Sequence, residues 1–74
     1  MRITYDRDAD AAYISLVQKV EPGEATRQVP FIETPNNESQ VTLDFDVEGH
    51  LLGIEVLVAS RALTAELLAE GSPG

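Results

Sequence analysis

The sequence predicts a small α+β fold, in which an antiparallel sheet of four to five strands, in meander-like order, carries one C-terminal helix on one face. Three observations predict it. Five short segments are rich in apolar and β-branched residues, mostly in alternation with polar ones, as in half-buried strands. Turn-forming residues such as Pro22-Gly23 separate them. From residue 60 onward the apolar spacing becomes that of a helix.

The first two strands are predicted at residues 1–5 (MRITY) and 11–17 (AAYISLV). Between them Asp6 can stabilise a turn, because its side-chain oxygens accept hydrogen bonds from nearby backbone N–H groups. Successive side chains of a strand point to opposite faces. In the second segment we expect the inner face to carry Ala12, Ile14 and Leu16.

The third strand is predicted at residues 25–33 (ATRQVPFIE) and is the weakest of the five. Pro30 has no backbone N–H, so this segment is expected at an edge of the sheet or to end early. After a polar loop at residues 34–39, the two strongest strands follow at residues 40–45 (QVTLDF) and 51–58 (LLGIEVLV).

A helix is predicted at residues 60–71 (SRALTAELLAEG). Ser60 is a candidate N-cap and Gly71 a candidate stop, and Leu63 and Leu67 lie four residues apart, on one helical face. The chain is thus expected to form one domain over residues 1–70, with a disordered tail at residues 71–74.

The last two strands can pair in two registers. In the first, Val41 faces Val56, Leu43 faces Ile54 and Phe45 faces Leu52. In the second, a three-residue loop sets Phe45 opposite Leu51 and Val41 opposite Glu55, which places a carboxylate on the core side. The first register buries more apolar surface and no charge, so we favour it.

In the favoured register three carboxylates, Asp44, Asp46 and Glu55, share the sheet face opposite the helix. They could gather Mg²⁺ or Ca²⁺, which prefer oxygen ligands, or act as an acid/base pair. A solvated polar face is the commoner role of such residues in an antiparallel sheet. We therefore assign no catalytic, cofactor or metal site, and keep these three residues as the candidates should one exist.

Two other patterns are weaker. His50, at the hairpin tip, is expected to be solvated, although a His can carry a proton near neutral pH. Asp6, Asp8 and Asp10 alternate as at the start of an EF-hand loop, but Ala11 stands where that loop needs Gly and Val17 where it needs Glu.

Size and charge limit the possible functions. The chain has 74 residues, no cysteine, 13 acidic and 5 basic residues, and a formal charge of −8. A core this small gains from a partner chain, so we expect a homo-oligomer, with a dimer favoured. The acidic surface disfavours nucleic acids and anionic membranes and suits a basic protein. The N-terminus lacks the apolar core of a signal peptide, which predicts a cytoplasmic protein.

Three stretches resemble the YuzE-like family of small bacterial domains of unknown function: ITYDRDADAAYISL, VTLDFDVEGHLLGIEVL and ASRAL. The shared outline begins with Tyr5-Asp6, an acidic turn and the strand at residues 11–14. It continues with an Asp-rich strand that carries Asp44 and Asp46, then Gly49 and Gly53-Ile54-Glu55. The stretch PFIETPNNES is longer than the family's usual link. The resemblance implies a small α+β fold and no established activity or cofactor, and makes an antitoxin-like or adaptor role conceivable.

Two main functions follow as hypotheses. The favoured one is a non-enzymatic interaction module, a homodimer whose acidic surface holds a basic protein. The alternative is a metal-dependent or acid/base enzyme that uses Asp44, Asp46 and Glu55. A small-molecule sensor is a third possibility, limited by the little volume that 74 residues can enclose.

Overall fold

A computed structural model describes residues 1–73 of the chain. Within them, six strands form one sheet and two short helices follow the fifth strand. The helices carry the C-terminal part of the chain back across the sheet before the sixth strand. The elements are β1 (Arg2–Asp6), β2 (Ala11–Ser15), β3 (Arg27–Glu33), β4 (Gln40–Phe45), β5 (Leu51–Leu57), α1 (Ala59–Ala62), α2 (Ala65–Ala69) and β6 (Ser72–Pro73).

The predicted α+β class is confirmed, whereas the strand count and the meander order need correction. The order across the sheet is β3-β4-β5-β2-β1-β6, so two antiparallel units, β1-β2 and β3-β4-β5, meet where β5 pairs with β2. The connection from β2 to β3 must therefore pass over β5 and β4 to reach the far edge. Alternation within each strand does not reveal such a crossing. Alternation indicates which face of a strand is apolar, whereas the crossing depends on which strands lie side by side.

The two edges of the sheet differ. At one edge β6 pairs in parallel with β1, with Thr4 opposite Ser72 and Tyr5 opposite Pro73. This sixth strand lies in the segment at residues 71–74 for which the sequence predicts disorder, and Gly74 lies outside the described residues. At the other edge β3 pairs only with β4, so the predicted edge position of the Pro30 segment is confirmed.

The β4–β5 hairpin adopts the favoured register over most of its length. Val41 faces Val56, Leu43 faces Ile54 and Asp44 faces Gly53. Near the tip the register shifts by one residue and Phe45 faces Leu51, as in the second register. A β-bulge of this kind leaves one residue of β5 unpaired, so both predicted registers occur in different parts of one hairpin.

Two short helices replace the single predicted helix. The expected cap, Ser60, lies inside α1, and Val58 precedes α1 with left-handed backbone angles (φ 55°). Leu63 is extended and ends α1, and Thr64 starts α2 by accepting a hydrogen bond from the backbone N–H of Leu67 at 3.2 Å. A Thr oxygen competes with continued helical bonding and so favours a new helix start.

The core lies between the helices and one face of the sheet. Ala12, Val56 and Ala59 are buried at its centre. Half-buried apolar side chains surround them, namely Tyr5, Val41, Ile54, Ala62, Leu63 and Leu68. The expected inner position of Ala12 is thus confirmed, but β2 ends at Ser15, and Leu16 is exposed beyond it. Within residues 1–73 the other buried apolar residues are Ile3 and Leu52, so the core is small, as expected for a chain of this length.

Candidate functional site

Asp44 is a buried carboxylate on the sheet face opposite the helices. Only 8% of the residue is exposed. The Tyr13 hydroxyl donates a hydrogen bond to Oδ2 of Asp44 at 2.9 Å, and Nε2 of Gln28 donates one to Oδ1 at 2.9 Å. Both oxygens of the carboxylate therefore have partners from neighbouring parts of the sheet, as a buried polar group requires.

Gly53 makes the contact between Tyr13 and Asp44 possible. Tyr13 lies on β2 and Asp44 on β4, and β5 separates the two strands. Gly53 on β5 is paired with Asp44, and a Cβ atom at this position would overlap the hydroxyl and ring of Tyr13. The missing side chain lets the aromatic ring cross β5 and deliver its hydroxyl to the carboxylate, a role that glycines often have where another group approaches the backbone closely.

The pKa of Tyr13 is raised to about 12, mainly by burial and to a smaller extent by the hydrogen bond to Asp44 and by the charges of Asp44 and Glu55. Each of these causes disfavours the tyrosinate anion. At neutral pH Tyr13 is thus a neutral hydrogen-bond donor. Its raised pKa suits a structural contact better than proton transfer, because proton transfer is most efficient for groups that titrate near the working pH.

Glu55 lies on the same sheet face as Asp44 but is not among the hydrogen-bond partners of Asp44. Glu55 is paired with Tyr13 on β2 and with Thr42 on β4, and its side chain is exposed. Tyr13 therefore stands beside both carboxylates on the same sheet face. Two of the three sequence-predicted candidates are thus neighbours of one tyrosine.

Asp46, the third candidate, belongs to the β4–β5 turn. Its Oδ1 accepts hydrogen bonds from the backbone N–H groups of Glu48 at 2.9 Å and His50 at 2.8 Å, and Oδ2 lies 3.0 Å from Nδ1 of His50. The backbone bond from His50 is the main cause that lowers the pKa of Asp46. This carboxylate stabilises the turn, as Asp side chains commonly do.

Within residues 1–73, one group of three side chains meets the spacing of a metal site, and it shares only Asp46 with the candidate group of Asp44, Asp46 and Glu55. One ligand atom each from Asp46, Glu48 and His50 lies within 4.8 Å of the others. The alternate spacing D-x-E-x-H across a tight turn is the sequence signal that could have revealed this group. Asp46 already uses both oxygens within the turn, and Glu48 and His50 are exposed, so the arrangement is that of a solvated hairpin tip.

Two acids of the β1–β2 turn, Asp6 and Asp10, have structural partners. Oδ1 of Asp6 accepts from the backbone N–H of Asp8 at 3.0 Å, the predicted turn contact. Asp10 reaches α1, where its Oδ1 accepts from the backbone N–H of Ser60 at 2.8 Å and its Oδ2 from the Ser60 hydroxyl at 2.6 Å. Tyr5 also donates to Oδ1 of Asp10 at 2.8 Å. Asp10 is thus the capping residue of α1, a role that local sequence spacing could not show.

Strand β3 carries the most conspicuous exposed surface. All seven of its residues are exposed, including Val29 (47%), Phe31 (69%) and Ile32 (40%). The pairing with β4 shifts between Val29 and Ile32, and Phe31 in this bulge has a φ of 59°. A positive φ is a genuine outlier for a bulky residue. We refer to Val29, Phe31 and Ile32 as the β3 apolar surface.

Residues 1–73 contain no helix that is both long and apolar enough to cross a lipid bilayer.

Comparison with known proteins identifies a family. A family model described as "Protein of unknown function (DUF2283)" matches residues 2–60, which include β1 to β5 and the start of α1. No curated protein and no solved structure matches the chain.

Proposed function

Because the chain belongs to DUF2283, a family of proteins of unknown function, we propose a function from its geometry: a non-enzymatic protein-interaction module. In this proposal the module is a homo-oligomer, with a dimer favoured. Its acidic surface serves as an adaptor or antitoxin-like surface for a basic protein.

The β3 apolar surface is the observation that carries the proposal. A long edge strand with exposed apolar side chains is a template for association with another chain, and monomeric proteins usually protect such edges. Phe31 is held outward by a bulge, and bulges at sheet edges often redirect a side chain. Large aromatic residues are the most frequent anchors of protein interfaces.

The small core gives independent support for association. Within residues 1–73 only five apolar residues are buried, and two of them are alanines, which contribute little apolar area: Ile3, Ala12, Leu52, Val56 and Ala59. The chain has no disulfide to compensate, since it contains no cysteine. Oligomerisation is one of the few remaining ways to stabilise a domain of this size.

The charge supports a basic partner. The formal charge of −8 is spread over both the sheet face and the turns, where Glu48, Glu55 and Asp8 are exposed. Such a surface accelerates encounter with a basic protein and repels an acidic one. The hydrogen bonds that engage both oxygens of Asp44 and of Asp46 within the fold also fit an interaction module better than a catalyst.

The finer assignment to the YuzE-like group, with a bacterial and cytoplasmic origin, is part of the same proposal. Its support is the order of motifs from Tyr5-Asp6 to Gly53-Ile54-Glu55.

Sedimentation of the purified chain tests the proposed function. We expect a dimer at micromolar concentration and a monomer for Phe31→Glu, because a buried unpaired carboxylate is unfavourable in an apolar interface. Val47→Glu is the matched control. The exposed fraction of Val47, 67%, is close to the 69% of Phe31, but Val47 lies in the β4–β5 turn.

A wild-type monomer, or a dimer that tolerates Phe31→Glu, would refute the role of this surface. For the basic partner, a native mass spectrum of the protein purified gently from its own cells should show a second, basic chain. Loss of that chain at high salt would agree with charge-driven recognition.

A further inference from the structure

Resting on the proposed interaction function, we propose that β3 binds β3 of a second copy of this chain. In this dimer the two strands lie antiparallel about Pro30, and Arg27 of each chain faces the partner's Glu33.

The charges of β3 are self-complementary. The strand reads RQVPFIE, with one cation at its first residue, one anion at its last and Pro30 midway between them. Antiparallel pairing about the midpoint brings opposite charges together at both ends. Within residues 1–73, neither Arg27 nor Glu33 takes part in an ion pair, and both are exposed. Both side chains are therefore available to a partner.

A parallel arrangement of the same two strands is disfavoured. It would set Arg27 opposite the partner's Arg27 and Glu33 opposite the partner's Glu33. Like charges directly opposite each other destabilise a strand pair, whereas opposite charges stabilise it. The charge order along β3 therefore selects the antiparallel register.

The apolar residues agree with this register. With Pro30 on the two-fold axis, Val29 faces the partner's Phe31 on both sides of the axis. Phe31 is the most exposed residue of the β3 apolar surface, and the unusual φ of 59° keeps it in the bulge. Aromatic–β-branched cross-strand pairs are among the favourable ones.

Local charge further favours a second copy over a basic protein at this edge. The chain as a whole carries −8, which opposes self-association, but Arg27 and Glu33 are the only charged residues of β3 and cancel each other. Contact through β3 therefore avoids most of the repulsion. A two-fold contact of this kind also closes after two chains, because each copy uses the same strand.

Charge reversal tests the register. Arg27→Glu and Glu33→Arg should each weaken the dimer, with a dissociation constant raised about tenfold, because each sets two like-charge pairs in the interface. A variant that carries both Arg27→Glu and Glu33→Arg should restore wild-type affinity, because the two ion pairs re-form with reversed charges. The controls are Arg7→Glu, in the β1–β2 turn, and Glu48→Arg, in the β4–β5 turn, which make the same charge changes away from β3.

Glu33→Arg is the decisive variant, because it makes the chain less acidic. If general repulsion alone governed the dimer, Glu33→Arg would strengthen association to the same extent as Glu48→Arg, and the proposed register would be overturned. A double variant that fails to recover affinity would overturn it as well.

Crosslinking provides a second measurement. The chain has no cysteine, so Pro30→Cys introduces the only thiol, on the proposed axis. Directly opposed residues of antiparallel strands have Cα atoms roughly 4.5–5.5 Å apart, a separation that a disulfide spans. We expect a disulfide-linked dimer on mild oxidation for Pro30→Cys and none for Val47→Cys. Absence of the Pro30→Cys dimer would contradict the register.

The outcomes separate this inference from the function on which it rests. If Phe31→Glu dissociates the dimer but the charge variants do not behave as stated, β3 remains the interaction surface and only the register is wrong. If Phe31→Glu and all charge variants leave the dimer intact, the dimer uses another surface and both proposals fail. A wild-type monomer would also refute both.

Discussion

At the scale of single residues, Tyr13, Asp44 and Gly53 depend on one another. A buried carboxylate needs hydrogen-bond donors, and within residues 1–73 no cation forms an ion pair with Asp44. Tyr13 and Gln28 supply neutral donors instead, and the tyrosine reaches the carboxylate only because Gly53 has no side chain. The three residues thus form a cross-strand unit that connects β2, β5 and β4.

The titration of Tyr13 tests this unit. In a Tyr5→Phe background, Tyr13 is the only tyrosine and the chain has no tryptophan, so tyrosinate absorbance reports it alone. We expect a pKa of about 12, lowered toward the ordinary value of 10.0 by Asp44→Asn, which removes a charge beside the hydroxyl. Glu55→Gln is the control and should lower the pKa less, because Glu55 is the smallest of the contributing causes.

The same shift predicts how stability depends on alkaline pH. The unfolded chain loses the Tyr13 proton near pH 10.0 and the folded chain near 12. Stability is therefore unaffected by this group below pH 10 and falls as pH rises through about 12. A Tyr13 that titrates near 10 in the Tyr5→Phe protein would contradict the buried contact with Asp44.

At the scale of elements, the start of α1 depends on the β1–β2 turn. Asp10 has a φ of 51°, and its backbone oxygen accepts from Ala59 N–H at 2.9 Å while its side chain binds Ser60. From the other side, the buried Ser39 hydroxyl donates to the Val58 oxygen at 2.8 Å. Two loops distant in sequence therefore fix the point at which β5 turns into helix.

Replacement of Asp10 should weaken this junction. We expect Asp10→Ala to lower the unfolding midpoint at neutral pH, because α1 loses its cap and alanine tolerates the positive φ poorly. Asn at this position keeps an oxygen acceptor and tolerates this φ. The unfolding midpoint of Asp10→Asn should therefore lie between those of Asp10→Ala and the wild type. Asp8→Ala, in the same turn, should leave the midpoint nearly unchanged. Thermal unfolding followed by circular dichroism measures all four proteins.

The effect of Asp10 should also depend on pH. The hydrogen bond from the Ser60 side chain is the main cause that lowers the pKa of Asp10 below its ordinary 3.8. A carboxyl with a lowered folded-state pKa stabilises the fold above its unfolded value and loses that contribution as pH falls through the folded value. The difference between wild type and Asp10→Ala should therefore shrink below pH 3.8, and a constant difference would argue against the ionised cap.

At the scale of the whole molecule, charge and size act in opposite directions. A small core favours association, but thirteen acidic residues on each chain repel a second copy. An interface in a locally neutral region satisfies both demands, and β3 is such a region. The opposite edge of the sheet is occupied by β6, which leaves β3 as the long open edge.

The overall charge also predicts weak contact with nucleic acids. We expect no binding of a fluorescent duplex DNA up to roughly 100 μM protein at about 150 mM salt, measured by anisotropy, because few cations are available to displace counterions from phosphate. The expected partner, a basic protein, has a positive charge, opposite to that of this chain. Micromolar DNA affinity that weakens steeply with salt would show that the five basic residues form an effective site in spite of the net charge.

Much of the fold could be predicted from the sequence because local rules determine it. Alternation located five strands, the missing N–H of Pro30 put β3 at an edge, and apolar matching set Val41 against Val56 and Leu43 against Ile54. These features depend on the residue itself or on its immediate partner. The acidic composition likewise follows directly from the residue counts.

The tertiary structure decided the features that join residues far apart in the chain. In the folded chain β2 pairs with β5, and Asp44 is hydrogen-bonded to Tyr13 and is not grouped with Asp46. Asp10, and not Ser60, caps α1. The tertiary structure also broke the predicted helix at Leu63-Thr64 and bulged β3 at Phe31. Sequence patterns record which face a residue prefers, but packing across the sheet chooses which distant hydrogen-bond partner it meets.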